Sequence, residues 1–146
     1  MQEYTHKVQY YETDQMAIVH HSNYIRWFEE ARVSFLEQIG FGYHETEQLG
    51  IISPVTGISC DYISMTRFGE TVVIKPIVRE FNGIRLMIHY EIRDEASGTL
   101  RAIGESRHCF LSPEGRPISV KKACPAYYEA IRQEMEKDSN EEGIPE

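Results

Sequence analysis

Cysteine is scarce in this chain. Of its 146 residues only three are cysteine, Cys60, Cys109 and Cys124, odd in number and far apart. There is no Cys-x-x-Cys, so neither a zinc knuckle nor a redox pair is indicated, and reduced thiols in a cytosolic protein fit best. Long apolar runs are missing as well. The longest, Met16 to Val19, has four residues, whereas a membrane-spanning helix needs about 20. The opening Met1-Gln2-Glu3-Tyr4 has no basic patch leading into an apolar stretch, which speaks against a secretory signal. Lys and Arg never cluster, and Lys121-Lys122 is only a pair. A nucleic-acid binder usually presents a basic face, so no such partner is expected. The net charge is −8, and residues 129–146 carry −5 of it. The expectation is a cytoplasmic protein with neither membrane nor nucleic acid as partner.

What is present is ordinary globular material, with 41% hydrophobic and 26% charged residues. The length suits one domain, which buries roughly 68–70% of its extended surface without help from disulfides or metal. The domain is expected over residues 1–137. From Asp138 the chain turns polar, and 138–146 reads as a frayed tail.

Tyr4 to Glu12 is rich in Tyr, Val and Thr and reads as a strand. Residues 13–22 are a short connection. From Asn23 the period changes, and Tyr24, Phe28, Ala31, Phe35 and Ile39 form a helical apolar stripe widened by Trp27. Ser22 or Asn23 can cap its start, and Gly40 and Gly42 stop it. The chain then reads as strands to residue 112. Asn82-Gly83 between two alternating segments is a strong hairpin signal. Strands near 54–67 and 99–112 complete a meander. Pro125 suits a first helical position, and Tyr127, Tyr128, Ile131 and Met135 give a second, shorter helix. The expected class is α+β. Its antiparallel sheet follows from turns too short for crossovers, and the long helix lies across it. Five strands leave open edges, which usually need covering, so an oligomer is plausible.

Asp14 is the residue with chemical promise. It sits between a strand end and a helix N-terminus, where free N–H groups and about half a positive charge can polarise a carbonyl oxygen. A carboxylate there can attack the carbonyl carbon or deprotonate a water. Taken alone, the pattern more often marks a capping or surface acid. Glu12, two residues earlier, reads as a bystander whose replacement by Gln costs little. His20 and His21 are adjacent and make a poor chelate, and no H-x-H or H-x-x-x-H spacing exists. No metal and no cofactor are expected.

Taken together, residues 8–32, Val-Gln-Tyr-Tyr-Glu-Thr-Asp-Gln-Met-Ala-Ile-Val-His-His-Ser-Asn-Tyr-Ile-Arg-Trp-Phe-Glu-Glu-Ala-Arg, resemble the signature of hotdog-fold acyl-CoA thioesterases. The match is to the 4-hydroxybenzoyl-CoA thioesterase group and its YbgC-like branch. Weaker echoes occur at Asp61-Tyr62, Arg67-Phe68-Gly69-Glu70, Gly104 to His108 and Gly115-Arg116-Pro117. Ala17 departs from the pattern, standing where a glycine is common. The resemblance implies a hotdog fold, with a five-stranded antiparallel sheet wrapped around one long central helix and a short C-terminal helix. It also implies a homodimer or homotetramer with active sites between subunits. Carried over by position, Asp14 is the catalytic carboxylate, the His21 N–H binds the thioester carbonyl, and the His21 and Tyr10 side chains orient Asp14 or the substrate. The implied reaction is hydrolysis of an acyl-CoA to free acid and CoA. Two alternatives stand beside it, an acyl-acyl carrier protein thioesterase and a non-catalytic acyl-CoA-binding module. The acidic surface argues mildly against the first, because carrier proteins are acidic. Asp14, Tyr10 and His21 together argue against the second. A hotdog dehydratase would want a different His/Asp constellation, which is not found.

Overall fold

A computed structural model describes residues 2–141. Its strands are β1 (Tyr4–Lys7), β2 (Val55–Tyr62), β3 (Thr71–Phe81), β4 (Arg85–Asp94) and β5 (Leu100–Cys109). They form one antiparallel sheet in the spatial order β1-β3-β4-β5-β2. The helices are α1 (Ser22–Gln38), α2 (Tyr43–Leu49), α3 (Val120–Ala123) and α4 (Pro125–Glu141). The central helix and five-stranded sheet implied by the resemblance are both present.

α1 lies across the sheet because its apolar residues recur every three or four positions. Tyr24, Trp27, Phe28, Ala31 and Phe35 are all buried. Phe28 stacks on Tyr90 of β4, with ring centroids 4.5 Å apart. A Cβ placed on Gly104 of β5 would lie 2.5 Å from Phe28 Cε2 and from the Ser59 carbonyl. Only glycine fits there, and it lets the helix settle onto the strands. Val72, Ile74, Ile88, Ile92 and Ala102 supply the facing layer, all fully buried.

Asn82-Gly83 does turn β3 into β4, with Gly83 at φ +86° and the Asn82 carboxamide oxygen accepting the Ile84 and Arg85 N–H groups. Elsewhere the structure differs from the sequence-based expectation. The first strand ends at Lys7, and Tyr10–Glu12 is a 3-10 turn, because Glu12 reaches back to the Gln9 N–H at 2.8 Å. The meander holds only for β3-β4-β5. β2 pairs with β5 at the far edge, not with β3. α2 was not expected, and it contributes no buried residue, so it carries no apolar stripe to read. α4 is not shorter than α1, since each has 17 residues.

The length of α4 has a physical cause. β1 pairs with β3 only as far as Ile74, leaving the outer edge of β3 bare beyond that point. Pro76 has no N–H to offer there. The next outward N–H, that of Val78, donates to the Asp138 carboxylate at 2.9 Å. Asp138 is buried, and α4 thereby covers the open edge. The expected boundary of a frayed tail at Asp138 is therefore corrected for 138–141, which continue the helix. The rest of that tail, 142–146, lies outside the described residues. Among the described residues, no helix is long and apolar enough to cross a membrane.

Asp138→Ala should leave the Val78 N–H without its acceptor at a buried strand edge. The expected loss is about 1–3 kcal/mol of unfolding free energy, read by urea titration. A change within a few tenths of wild type would show that the contact is incidental.

Candidate active site

The site is built on the segment between β1 and α1, and a buried carboxylate fixes that segment. Glu12 accepts from His6 Nε2 at 2.8 Å, from the Gln9 N–H at 2.8 Å and from Trp27 Nε1 at 2.9 Å. Its own carbonyl accepts from the His20 N–H at 2.8 Å and from Asn23 Nδ2 at 2.9 Å. One residue thus ties β1, the 3-10 turn, the loop and the first turn of α1 together. Burial alone would raise the Glu12 carboxyl. The hydrogen bonds from His6, Gln9 and Trp27 outweigh it and hold the group below its ordinary value. Reading Glu12 as a bystander is therefore wrong, and its backbone and side-chain partners give the reason.

Beyond Glu12 the chain makes a tight loop. The Asp14 N–H donates to the Ile18 carbonyl at 2.9 Å, and the Ala17 N–H to the Asp14 carbonyl at 3.0 Å. Ala17 sits at φ +63°, the one described non-glycine residue in the left-handed region. A Cβ there costs roughly 1–2 kcal/mol, which explains why a glycine is common at this position in the signature. Asp14 Oδ1 accepts the Met16 N–H at 2.8 Å. Asp14 Oδ2 has no donor among the described residues.

His21 is the residue before α1. Its N–H meets no acceptor among the described residues, an unsatisfied donor at the positive end of a 17-residue helix. Tyr62, at the end of β2, donates its hydroxyl to the His21 carbonyl at 3.2 Å. Burial, with Cys60 beside it, raises the Tyr62 hydroxyl above its ordinary value, so it remains a donor at neutral pH. Asp14, His21 and Tyr62 border one cleft of about 290 Å³, with Ile18, Tyr24 and Met65 among its walls. A larger groove of about 660 Å³ runs along the outer face of α1, lined by Arg26, Glu29, Glu30 and Glu37, but it pairs no carboxylate with a free helix N–H.

The structure brings Asp14 and His21 together but not Tyr10. Tyr10 is exposed, and its ring meets Phe68 edge-on at 5.8 Å. No hydrogen bond or ring contact joins it to Asp14 or His21. Sequence reasoning missed Tyr62 as a site residue. Asp61-Tyr62 carried only a weak echo, and nothing in the chain order shows that the end of β2 reaches α1. Met16, Ile63 and Met65, all exposed, line the cleft. Among the described residues, no group of three or more His, Cys, Asp or Glu side chains is placed to hold a metal ion.

The sequence pattern of the thioesterase-like superfamily matches residues 8–133. A Bacillus subtilis (strain 168) protein named "Putative acyl-CoA thioesterase YneP" is 36% identical over 125 residues, 85% of this chain and 90% of that protein. A protein of Aquifex aeolicus (strain VF5) named "Putative esterase" is 31% identical over 119 residues, 82% of this chain and 91% of that one. Among solved structures, the DHNA-CoA thioesterase from Staphylococcus aureus superposes with a TM-score of 0.86 at 31% identity. That alignment covers 99% of this chain and 95% of the other.

Glu12→Gln should be destabilising, by about 1.5–3 kcal/mol for hydrogen bonds to a buried charge. The folded carboxyl lies below its ordinary value, so its contribution is present above that value and fades as pH falls through the folded one. Urea titrations should therefore show a gap between wild type and variant at pH 7 that narrows below pH 4.5, the ordinary value. A gap that is absent, or that widens in acid, would contradict the network.

Proposed function

The chain belongs to the thioesterase-like superfamily, and from that premise we propose that it hydrolyses an acyl-CoA thioester to the free acid and CoA. The observation that carries the proposal is a carboxylate, Asp14, and an unsatisfied helix-start N–H, that of His21, bordering one apolar-walled cleft. The thioester carbonyl oxygen accepts from the His21 N–H, where the helix dipole favours the negative charge that develops during attack. Asp14 either adds to the carbonyl carbon or takes a proton from the attacking water. The C–S bond then breaks, and the CoA sulfur leaves as a thiolate that takes up a proton; where Asp14 itself has added, the resulting mixed anhydride is hydrolysed by a water, which frees the acid and restores the carboxylate. The Tyr62 hydroxyl holds the His21 carbonyl and so fixes the peptide that starts the helix. The His21 ring borders the cleft, where it meets substrate, whereas Tyr10 packs on Phe68 outside the cleft lining.

The same reading makes the working form a homodimer or homotetramer in the cytosol. Apolar side chains stand exposed around the cleft, and β2 is a free sheet edge next to it. A second copy placed there would cover the edge and wall the cleft.

Asp14→Asn keeps size and removes charge and basicity. Turnover on a panel of aliphatic, branched and aromatic acyl-CoAs, followed by thiol release, should fall by about 10²–10⁴-fold, with KM moving much less. Turnover within a few-fold of wild type would remove the main support for the assignment. Activity and oligomer should also disappear together on dilution. Sedimentation of a fully active monomer at assay concentration would overturn the shared site.

A further inference from the structure

At the other end of α1 lies a second cavity, which shares no lining residue with the Asp14 cleft. It encloses about 480 Å³ between α1, α2 and the segment leading into β2, within the roughly 300–1,000 Å³ of small-molecule sites. Its inner wall is apolar and well buried, with Ile51, Leu86 and Tyr127. Leu36, Phe41 and Pro54 continue it, and Phe41 is stacked on Tyr127 at 4.9 Å.

One cation faces this apolar space. Arg32 lines the cavity and is half-buried, and its charge is felt at Tyr90, His108 and Tyr127. It forms no ion pair with a carboxylate among the described residues. Glu47 is the one acid on the cavity wall, and it is exposed. Its neighbours inside are neutral. Burial, with the Arg32 charge adding to it, draws His108 down to about 4, and Tyr127 is pushed up to about 12 by burial. The guanidinium has the Tyr90 hydroxyl as a polar partner, but no carboxylate among the described residues balances its charge. Its fork of donors matches a carboxylate.

We propose that this cavity is a second binding site, for a monocarboxylate with an apolar tail, seated with its carboxylate on Arg32 and its tail along Leu36, Phe41 and Tyr127. The class follows from the cavity's own charge and lining. Acids of this class are also what the proposed hydrolysis releases, which gives the site a ligand source and makes it a place for product to act back on the enzyme.

Isothermal titration of the full-length protein with sodium decanoate, and with 1-decanol as the neutral control, tests this. Decanoate should bind wild type, and Arg32→Gln should weaken it by at least about tenfold, the scale of one lost charge-assisted pair. Arg32→Lys should retain part of the affinity, and decanol should not distinguish the variants. Ile52→Trp adds bulk at an exposed position on the cavity wall, and it should weaken decanoate without lowering the melting temperature. That variant keeps the test decisive if Arg32→Gln does not fold. Decanoate binding that is indifferent to both substitutions would overturn the proposal. So would displacement of decanoate by a non-hydrolysable acyl-CoA thioether, which would place the acid in the Asp14 cleft. An Ile52→Trp variant with altered oligomeric mass and unchanged decanoate affinity would overturn it too, by showing that a second copy covers this face. The readout is separate from turnover. Binding without hydrolysis would defeat only the proposed reaction, and hydrolysis without binding only the second site.

Discussion

The Glu12 carboxylate is the contact on which the candidate site depends. It lies buried between β1 and α1, satisfied by an imidazole, a backbone N–H and the Trp27 indole. A buried charge is tolerable only when it is this well partnered. That requirement works in both directions. The partners keep Glu12 ionised, and Glu12 in turn sets where the chain can go next. The 3-10 turn, the Asp14 loop and the His21 position all follow within nine residues. His6 extends the network, its other ring nitrogen 3.6 Å from Glu30, which accepts the Tyr4 hydroxyl at 2.7 Å. The Asp14 loop and the start of α1 are thus held by buried groups that lie outside the cleft lining.

The sheet contributes a second constraint, because its two edges are treated differently. At the β1–β3 side, α4 closes what β1 leaves open, with Asp138 answering the Val78 N–H. At the β2 side no strand or helix among the described residues does so. β2 alternates little between buried and exposed positions, and its last residue, Tyr62, reaches the start of α1. The uncovered edge and the cleft are therefore neighbours. The proposed second copy would meet the open edge and the cleft on the same side.

The core also holds a buried polar chain, Tyr90 hydroxyl to Ser106 hydroxyl at 2.7 Å and Ser106 to His108 at 2.8 Å. All three residues are buried. A fully satisfied chain of this kind orders a core, whereas a half-satisfied one would weaken it. It lies beneath α1, and the charge of Arg32 reaches both of its ends. The central helix thus carries the unsatisfied N–H at one end and, nearer the other, a cation that looks into apolar space.

The sequence by itself determined the local elements and the chemistry they carry. The α1 stripe from Tyr24 to Phe35, the Asn82-Gly83 turn and the Thr13-Asp14 to Asn23-Tyr24 signature are all written at short range, where periodicity and turn preference act. Ala17 was legible as an oddity, and its φ of +63° supplies the cause. What the tertiary structure decided are the partnerships between distant residues. The pairing of β2 with β5, the reach of Tyr62 to His21 and the docking of Asp138 on β3 each join residues roughly 40–60 apart. Glu12 read as a bystander and Asp138 as the start of a polar tail because a carboxylate's burial depends on the donors that folding brings to it. No spacing along the chain records which N–H or indole will arrive.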